Sequence, residues 1–360
     1  MKWSAPHWKK AHSVKGASMT PTSSLKPHIV TLGTAGGPRW WAAADTGERT
    51  GIATAVVVGD AFYLVDFGQG AGRRLGQSGL QLKDLRALFI THLHSDHVYD
   101  LAGLGIFGLY ALTDRLDSPV KIIGPGNRGE LPAVSPCAVV EPQPLAPENP
   151  TPGTRQMFEQ LMKAHATDLN DRILDSLRPS PLDIFHAEDI RIPAESGYHP
   201  NSNPTPDMEP FEVYRDELVT VTAILVEHPP VAPAFAFRFD TAEGSVTISG
   251  DTAYTQNMIT LAQDTDLLLH EAIDFNWVES LYADKTDESS RASRDHHYKS
   301  HTSVRDAAKL AELAGAGHLA LHHLVPGSAS EAVWREAGEH FSGTFTVPND
   351  LDTIPFARQR

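Results

Sequence analysis

One run of six residues constrains this chain more than any other: His92-Leu93-His94-Ser95-Asp96-His97, directly after the apolar stretch 87–90. A short apolar run of that length reads as a buried strand. The chain then breaks off into three histidines and an aspartate. Alternate side chains of extended backbone share a face, so His92 and His94 point together, while Asp96 and His97 follow on the turn. Neutral imidazole and carboxylate are ligands for zinc, and also for iron or manganese. Four ligands packed this tightly suit two adjacent cations better than one.

More ligands must come from elsewhere, and a repeated device supplies them: a strand that ends in a metal-type residue. The alternating and then apolar run 218–226 leads into Glu227-His228-Pro229-Pro230. A second hairpin strand, 245–249, ends in Gly250-Asp251-Thr252, and a late buried strand, 318–321, delivers His322-His323. Singly these dipeptides carry no weight. Together, on strand ends, they converge on one rim of a sheet, which is a rigid place to build a site.

Composition narrows the class. Of 360 residues, 41% are hydrophobic and 21% charged, as in an ordinary globular protein. No run of eighteen apolar residues exists, so no membrane helix is expected. The single cysteine, Cys137, excludes an intramolecular disulfide framework and a thiolate metal site. Net charge is −15, yet Lys2, Lys9, Lys10, Lys15, Lys26 and Arg39 precede the first acid, so the body is more acidic still. Such a body repels phosphate backbones at long range and counts against nucleic acid as the partner. Residues 1–27 read as a disordered tail or an expression remnant, without the apolar core of a secretory signal; Met19 is an equally good start. The expected location is the cytoplasm, with an exported, trimmed form as the alternative.

Along the chain, strand 28–32 runs into Gly33-Thr34-Ala35-Gly36-Gly37-Pro38, which lets backbone come close to something. Trp40 and Trp41 either line a pocket or fill core. A hairpin spans 53–65, a helix 70–78 and a buried helix 100–111. Residues 127–217 are crowded with proline around a helical stretch 154–177 and read as an insertion or lid without a core of its own. Its His165, His186 and His199 read as solvated, and Met157, Phe158, Leu161, Ile184 and Phe185 as apolar members able to enclose a substrate group. The charged stretch 284–300 reads as a mobile loop. Ser303-Val304-Arg305-Asp306 reads as a capping box opening a helix closed by Gly315.

These segments, in order, resemble the motifs of the metallo-β-lactamase superfamily: Thr91-His92-Leu93-His94-Ser95-Asp96-His97, Val226-Glu227-His228, Ser249-Gly250-Asp251-Thr252 and Leu321-His322-His323-Leu324. Within it the chain resembles the ribonuclease Z and arylsulfatase branch. Asp251 in the slot that lactamases fill with cysteine agrees with that, as do Phe235-Ala236-Phe237-Arg238, His270-Glu271-Ala272 and His301 before a helix. The resemblance implies an α/β fold, an αββα sandwich over residues 28–345 with the Pro-rich lid inserted at 127–217 and an extended segment at 346–360. It also implies two divalent cations, zinc first among them. His92, His94 and His228 would hold one; Asp96, His97 and His323 would hold the other, with Asp251 bridging. Of the adjacent His322 and His323 the motif selects His323.

The implied chemistry is hydrolysis by a hydroxide bridging the cations. Asp96 would orient or deprotonate the water, and His301 would protonate the leaving oxygen. A place before a helix N-terminus lowers a histidine pKa, so that acid role requires a carboxylate. Glu271 reads as a partner for a ligand histidine. A bacterial-type ribonuclease Z carries a long RNA-gripping arm between the positions of Arg238 and Asp251, where this chain has only a tight hairpin. The sequence therefore reads as a hydrolase of a small or medium ester, whether aryl sulfate, phosphodiester or lactone, possessing neither membrane nor nucleic-acid partner and open to homodimerisation. A ribonuclease Z-like endonuclease of tRNA 3′ ends and a non-catalytic metal binder are the alternatives.

Overall fold

The computed structural model describes residues 26–43 and 48–357; the expectation for the basic head falls almost wholly outside the described residues. Among these, two seven-stranded sheets face one another. The first is built from β1 (His28–Gly33), β2 (Ala53–Val58), β3 (Ala61–Val65), β4 (Leu85–Phe89), β5 (Val120–Gly124) and β6 (Phe185–Asp189) in chain order, with β14 (Thr353–Pro355) added beside β1. The second places β7 (Phe211–Arg215), β8 (Thr220–Leu225), β9 (Phe235–Asp240), β10 (Ser245–Ile248), β11 (Leu267–Ile273), β12 (His318–Val325) and β13 (Thr344–Thr346) side by side in that order.

Both faces of each sheet are covered, which is why the strands read as near-continuous apolar runs. In β3, Tyr63 and Val65 point between the sheets while Phe62 and Leu64 point to the outer helices. In β4, Ala87 and Phe89 face inward and Leu88 outward. The inner layer is aromatic where the sheets cross: the ring of Phe89 sits 5.5 Å from Phe237 and 5.3 Å from Phe239. Outside the first sheet lie α1 (Ala71–Ser78), the short α2 (Ser95–Val98), α3 (Leu101–Gly108), α4 (Thr154–Ala164), α5 (Ala166–Leu174) and α6 (Pro181–Ile184). Outside the second lie α7 (Gln256–Leu261) and α10 (Val304–Ala314), whose Met258, Leu310 and Ala311 pack on it. The order of layers is αββα.

Several expectations need correction. From residue 288 the stretch 284–300 is helical, not a loop: α9 (Glu288–Ser300) is capped by Asp287, whose side chain accepts from the Ser290 N–H. It packs on α8 (Phe275–Tyr282), with Tyr298 stacked 4.5 Å from Phe275 and Arg294 paired to Glu279. The helical stretch of the insertion is two helices broken at His165. Phe158, Ile184 and Phe185 are fully buried beneath the first sheet with Leu104 and Leu112, so they build core and enclose no ligand. The insertion also supplies edge strands, β6 to one sheet and β7 to the other. Near the carboxyl end, the short helix α11 (Glu331–Arg335) runs on into a tighter turn.

Strand direction positions the site. β3, β4, β5 and β6 are mutually parallel, as are β10, β11 and β12. β8 runs with β10 because each is antiparallel to β9 between them. The carboxyl ends of β4, β8, β10 and β12, where the ligand-type residues stand, therefore meet along one rim.

Candidate metal centre

Seven side chains that lie up to 231 positions apart come together at that rim, in two groups that share Asp251. One group is His92, His94, His228 and Asp251; the other is Asp96, His97, Asp251 and His323; within each group the donor atoms all lie within 4.8 Å of one another. Asp251 turns a different oxygen to each half. Its Oδ2 is 3.8 Å from His92 Nε2 and 3.9 Å from His228 Nε2, whereas its Oδ1 is 3.2 Å from His97 Nε2 and 3.0 Å from His323 Nε2.

The donor set fits divalent cations. His92 Nε2 is buried with no hydrogen-bond partner, a cost that a native interior does not carry without compensation. Burial holds the imidazoles of His92 and His228 well below their usual pKa, which is the neutral state a ligand requires. Burial works against the charge of Asp96, but the neighbouring His97 and His323 hold its carboxyl well below the usual range.

Supporting contacts fix which nitrogen faces inward. His97 Nδ1 donates to Asp66 Oδ2 at 2.7 Å, which leaves Nε2 for the centre. Asp66 is itself held by the backbone N–H and the hydroxyl of Thr91, both at 2.8 Å. His228 Nδ1 donates to the carbonyl of Ser300 at 2.8 Å, so the last turn of α9 orients a histidine of the first group. The glycine turn after β1 approaches from the other side. Gly37 donates its N–H to Asp96 Oδ2 at 2.8 Å, and Gly36 packs on the ring of His323.

His323 reaches the centre through a backbone irregularity. In the β11–β12 ladder Glu271 pairs with His322 and Ala272 with Leu324, so His323 is the extra residue of a bulge. Its φ is 47°, in the left-handed region. A bulge re-aims one side chain, and here it turns His323 to the second group. His322 stays buried, its ring nitrogens unpartnered.

His301 stands at the end of α9 with its ring 5.1 Å from His228 and 6.2 Å from His323. Burial would lower its pKa, but the carboxylate of Glu271 raises it to about 9. Glu271 therefore supports His301 and not a member of the seven; its Oε1 also accepts from the N–H of Thr252 at 2.6 Å. Sequence reasoning misses this pairing, and it misses Asp66. A signal for Asp66 is there to be found, because it too is a ligand-type residue ending a strand. His296 and His297, about one turn before His301 on α9, also border the site, although their stretch of sequence reads as a loop. His165, His186 and His199, on the insertion, belong to neither group.

The layered αββα sandwich with a paired His/Asp centre on one rim defines a metallo-β-lactamase-fold protein. Solved structures agree on the fold: human tRNase Z, short form, superposes with a TM-score of 0.57 at 20% identity, over 92% of this chain and 100% of that one. The metallo-β-lactamase fold protein YhfI from Bacillus subtilis gives 0.54 at 18% identity, over 91% and 98%. In sequence, ribonuclease Z of Mycobacterium sp. (strain KMS) is 30% identical over 316 residues, covering 85% of this chain and 90% of the relative. Ribonuclease Z of Mycobacterium bovis (strain BCG / Pasteur 1173P2) is 30% identical over 311 residues, covering 85% and 92%. A family model described as anti-Pycsar protein Apyc1 matches residues 53–123. The chain belongs to the ribonuclease Z family. That kinship runs against the expectation, drawn from net charge, that nucleic acid is excluded as a partner, and it lends nothing to the arylsulfatase leaning.

Proposed function

We propose that this protein is a metal-dependent phosphodiester hydrolase of the ribonuclease Z type. One observation carries the reading: two His/Asp groups share Asp251 directly beside the Glu271-supported His301, in a chain akin to ribonucleases Z along most of its length. His92, His94 and His228 would hold one cation, and Asp96, His97 and His323 the other, with Asp251 between them. Such cations, zinc first among the candidates, supply Lewis acidity and lower the pKa of water.

The chain's own groups do the rest. Asp96, fixed by the Gly37 N–H, accepts a proton or orients the attacking water. His301 uses Nδ1 against Glu271, which leaves Nε2 to donate a proton to the leaving oxygen. Its pKa of about 9 keeps that proton in place at neutral pH. Glu271 is the carboxylate that the acid role of His301 requires.

A second reading, a small nucleotide diester instead of a folded RNA, is favoured by one feature. β9 and β10 are joined by a tight turn at 241–244, in which Thr241 donates its N–H to the Gly244 carbonyl at 2.9 Å. An RNA-gripping arm has no room in that connection. Metal-loaded protein assayed on a 3′-extended transfer RNA, a nucleotide diester and an aryl sulfate tests both readings. Cleavage of either phosphodiester, lost in Asp251→Ala, supports the proposal; turnover of the aryl sulfate alone overturns it.

A further inference from the structure

Beside the rim lies a cavity of about 280 Å³ whose far wall is aromatic and basic. Trp41 and Trp277 meet edge to face at 5.7 Å, and His297 stacks on Trp277 at 5.9 Å and 19°. Tyr282 closes the corner 5.8 Å from His297, over an apolar floor that includes Val325. The guanidinium of Arg39 lies 5.7 Å from the Trp41 ring and 5.6 Å from that of Trp277. Among the described residues Arg39 has no ion pair, and the carboxylates on the cavity wall are Asp96 and Asp251, both turned to the metal centre.

Core packing uses only one side of this wall, where Trp41 and Trp277 rest on the cluster of Ile273, Val278 and Val325. Trp41 and Trp277 are only half-buried, and they face open volume that the centre's own His94, Asp251 and His323 also border. Trp41 is held in place, because its Nε1–H donates to the Gly36 carbonyl at 2.8 Å and Gly327 packs against its ring. A cavity just below the usual range of about 300–1,000 Å³ holds one small ligand group and not a length of polymer. Half-exposed indoles beside an unpaired guanidinium accept a planar heteroaromatic ring next to an anion.

We propose that this cavity is a base-binding subsite: the heteroaromatic base adjoining the scissile phosphodiester rests against Trp277 and Trp41, with Arg39 beside it. The proposal rests on the phosphodiesterase reading for its orientation, and it makes Trp277 a specificity-determining residue. Aromatic stacking accepts every base, so the subsite selects nucleotides over other phosphate esters and discriminates little among the bases themselves.

Direct binding tests it apart from turnover. Calorimetric titration of metal-loaded protein with adenosine 5′-monophosphate and with ribose 5-phosphate compares the same phosphate with and without its base. The expected result is at least about ten-fold tighter binding of the nucleotide, the size of one base–aromatic stack. Trp277→Leu erases that advantage while ribose 5-phosphate binding is unchanged, and Trp277→Phe restores most of it. Equal binding of the two ligands by the unaltered protein, no binding of either, or a nucleotide advantage that survives Trp277→Leu overturns the subsite. Nucleotide preference in a protein that cleaves no phosphodiester leaves the subsite standing and removes the proposed function instead.

Discussion

Both carboxylate oxygens of Glu271 lie 3.1 Å from Nδ1 of His301. Glu271 sits in β11 with none of its surface exposed, and His301 follows α9 across the rim. Burial works against the charge of His301, but the Glu271 carboxylate raises its pKa to about 9, so the imidazolium persists through the neutral range. The pairing also joins the two elements that flank the two His/Asp groups, since the neighbouring Ser300 carbonyl orients His228.

A pH dependence follows. His301 is raised to about 9, burial being overcome by Glu271, so the imidazolium is present below that pH and is lost as pH rises through it. Its contribution to stability has the same sign: complete below the unfolded value of about 6.5 and gone above about 9. The rate of phosphodiester cleavage should fall on the alkaline side. In Glu271→Gln the supporting charge is gone, and that limb should shift to lower pH with kcat reduced by about 10²-fold or more. A pH–rate profile of the two proteins checks this, and an unmoved alkaline limb would remove His301 as the acid.

Much of this centre is legible in the sequence because each ligand-type residue ends an apolar run, and apolar runs announce strands. His92, His228 and Asp251 are all of this kind. What escapes is what a local pattern does not encode. α9 carries polar residues all round, so its charge reads as a loop; it is a helix because Asp287 caps it and α8 supplies Phe275 and Glu279 as partners. The motif selects His323 over His322, and His323 is the one that joins the second group, but the bulge that turns it there is not encoded in any spacing. Phe158 and Phe185 look like substrate contacts in a Pro-rich insertion, but the insertion folds back and completes the core beneath the first sheet. The link between Glu271 and His301 joins two motifs that are both visible, and only the tertiary fold shows that they touch.

Asp66 anchors His97 from behind, and its removal isolates that support from the ligands. Asp66→Asn keeps the shape but weakens the bond that fixes the His97 tautomer. The affinity for the second cation should fall by about 10–100-fold. Metal titration against a competing chelator measures it, and His92 with its neighbours should retain their cation. An unchanged affinity would show that Thr91 and the backbone suffice to hold the ring.

Asp251 is the one side chain with an oxygen facing each group. Asp251→Ala should lower both affinities at once and cut activity by about 10²-fold or more. Metal content per chain, measured after gel filtration, should fall towards zero, where loss of His323 alone should leave one cation. Two retained cations and a near-normal rate would refute a shared role for Asp251.

Gly36 offers the sharpest steric test, because nothing about its chemistry enters the reaction. A Cβ added there would lie 2.2 Å from Cε1 and 2.3 Å from Nδ1 of His323, closer than real atoms approach. The ring of His323 is itself fixed by a bulge, so it has little freedom to yield. Gly36→Ala should therefore fold, retain the cation held by His92, His94 and His228, and lose most of the affinity for the other. Gly76, in the middle of α1 with no atom within 4 Å of the place an added methyl group would take, is the matched control. Gly76→Ala should leave metal content and activity unchanged and raise stability by about 0.5–1 kcal/mol, the usual gain from replacing a helical glycine. Elemental analysis and urea unfolding of the two variants side by side separate the outcomes: full double occupancy in Gly36→Ala would mean that the glycine turn does not press on the centre as the geometry requires.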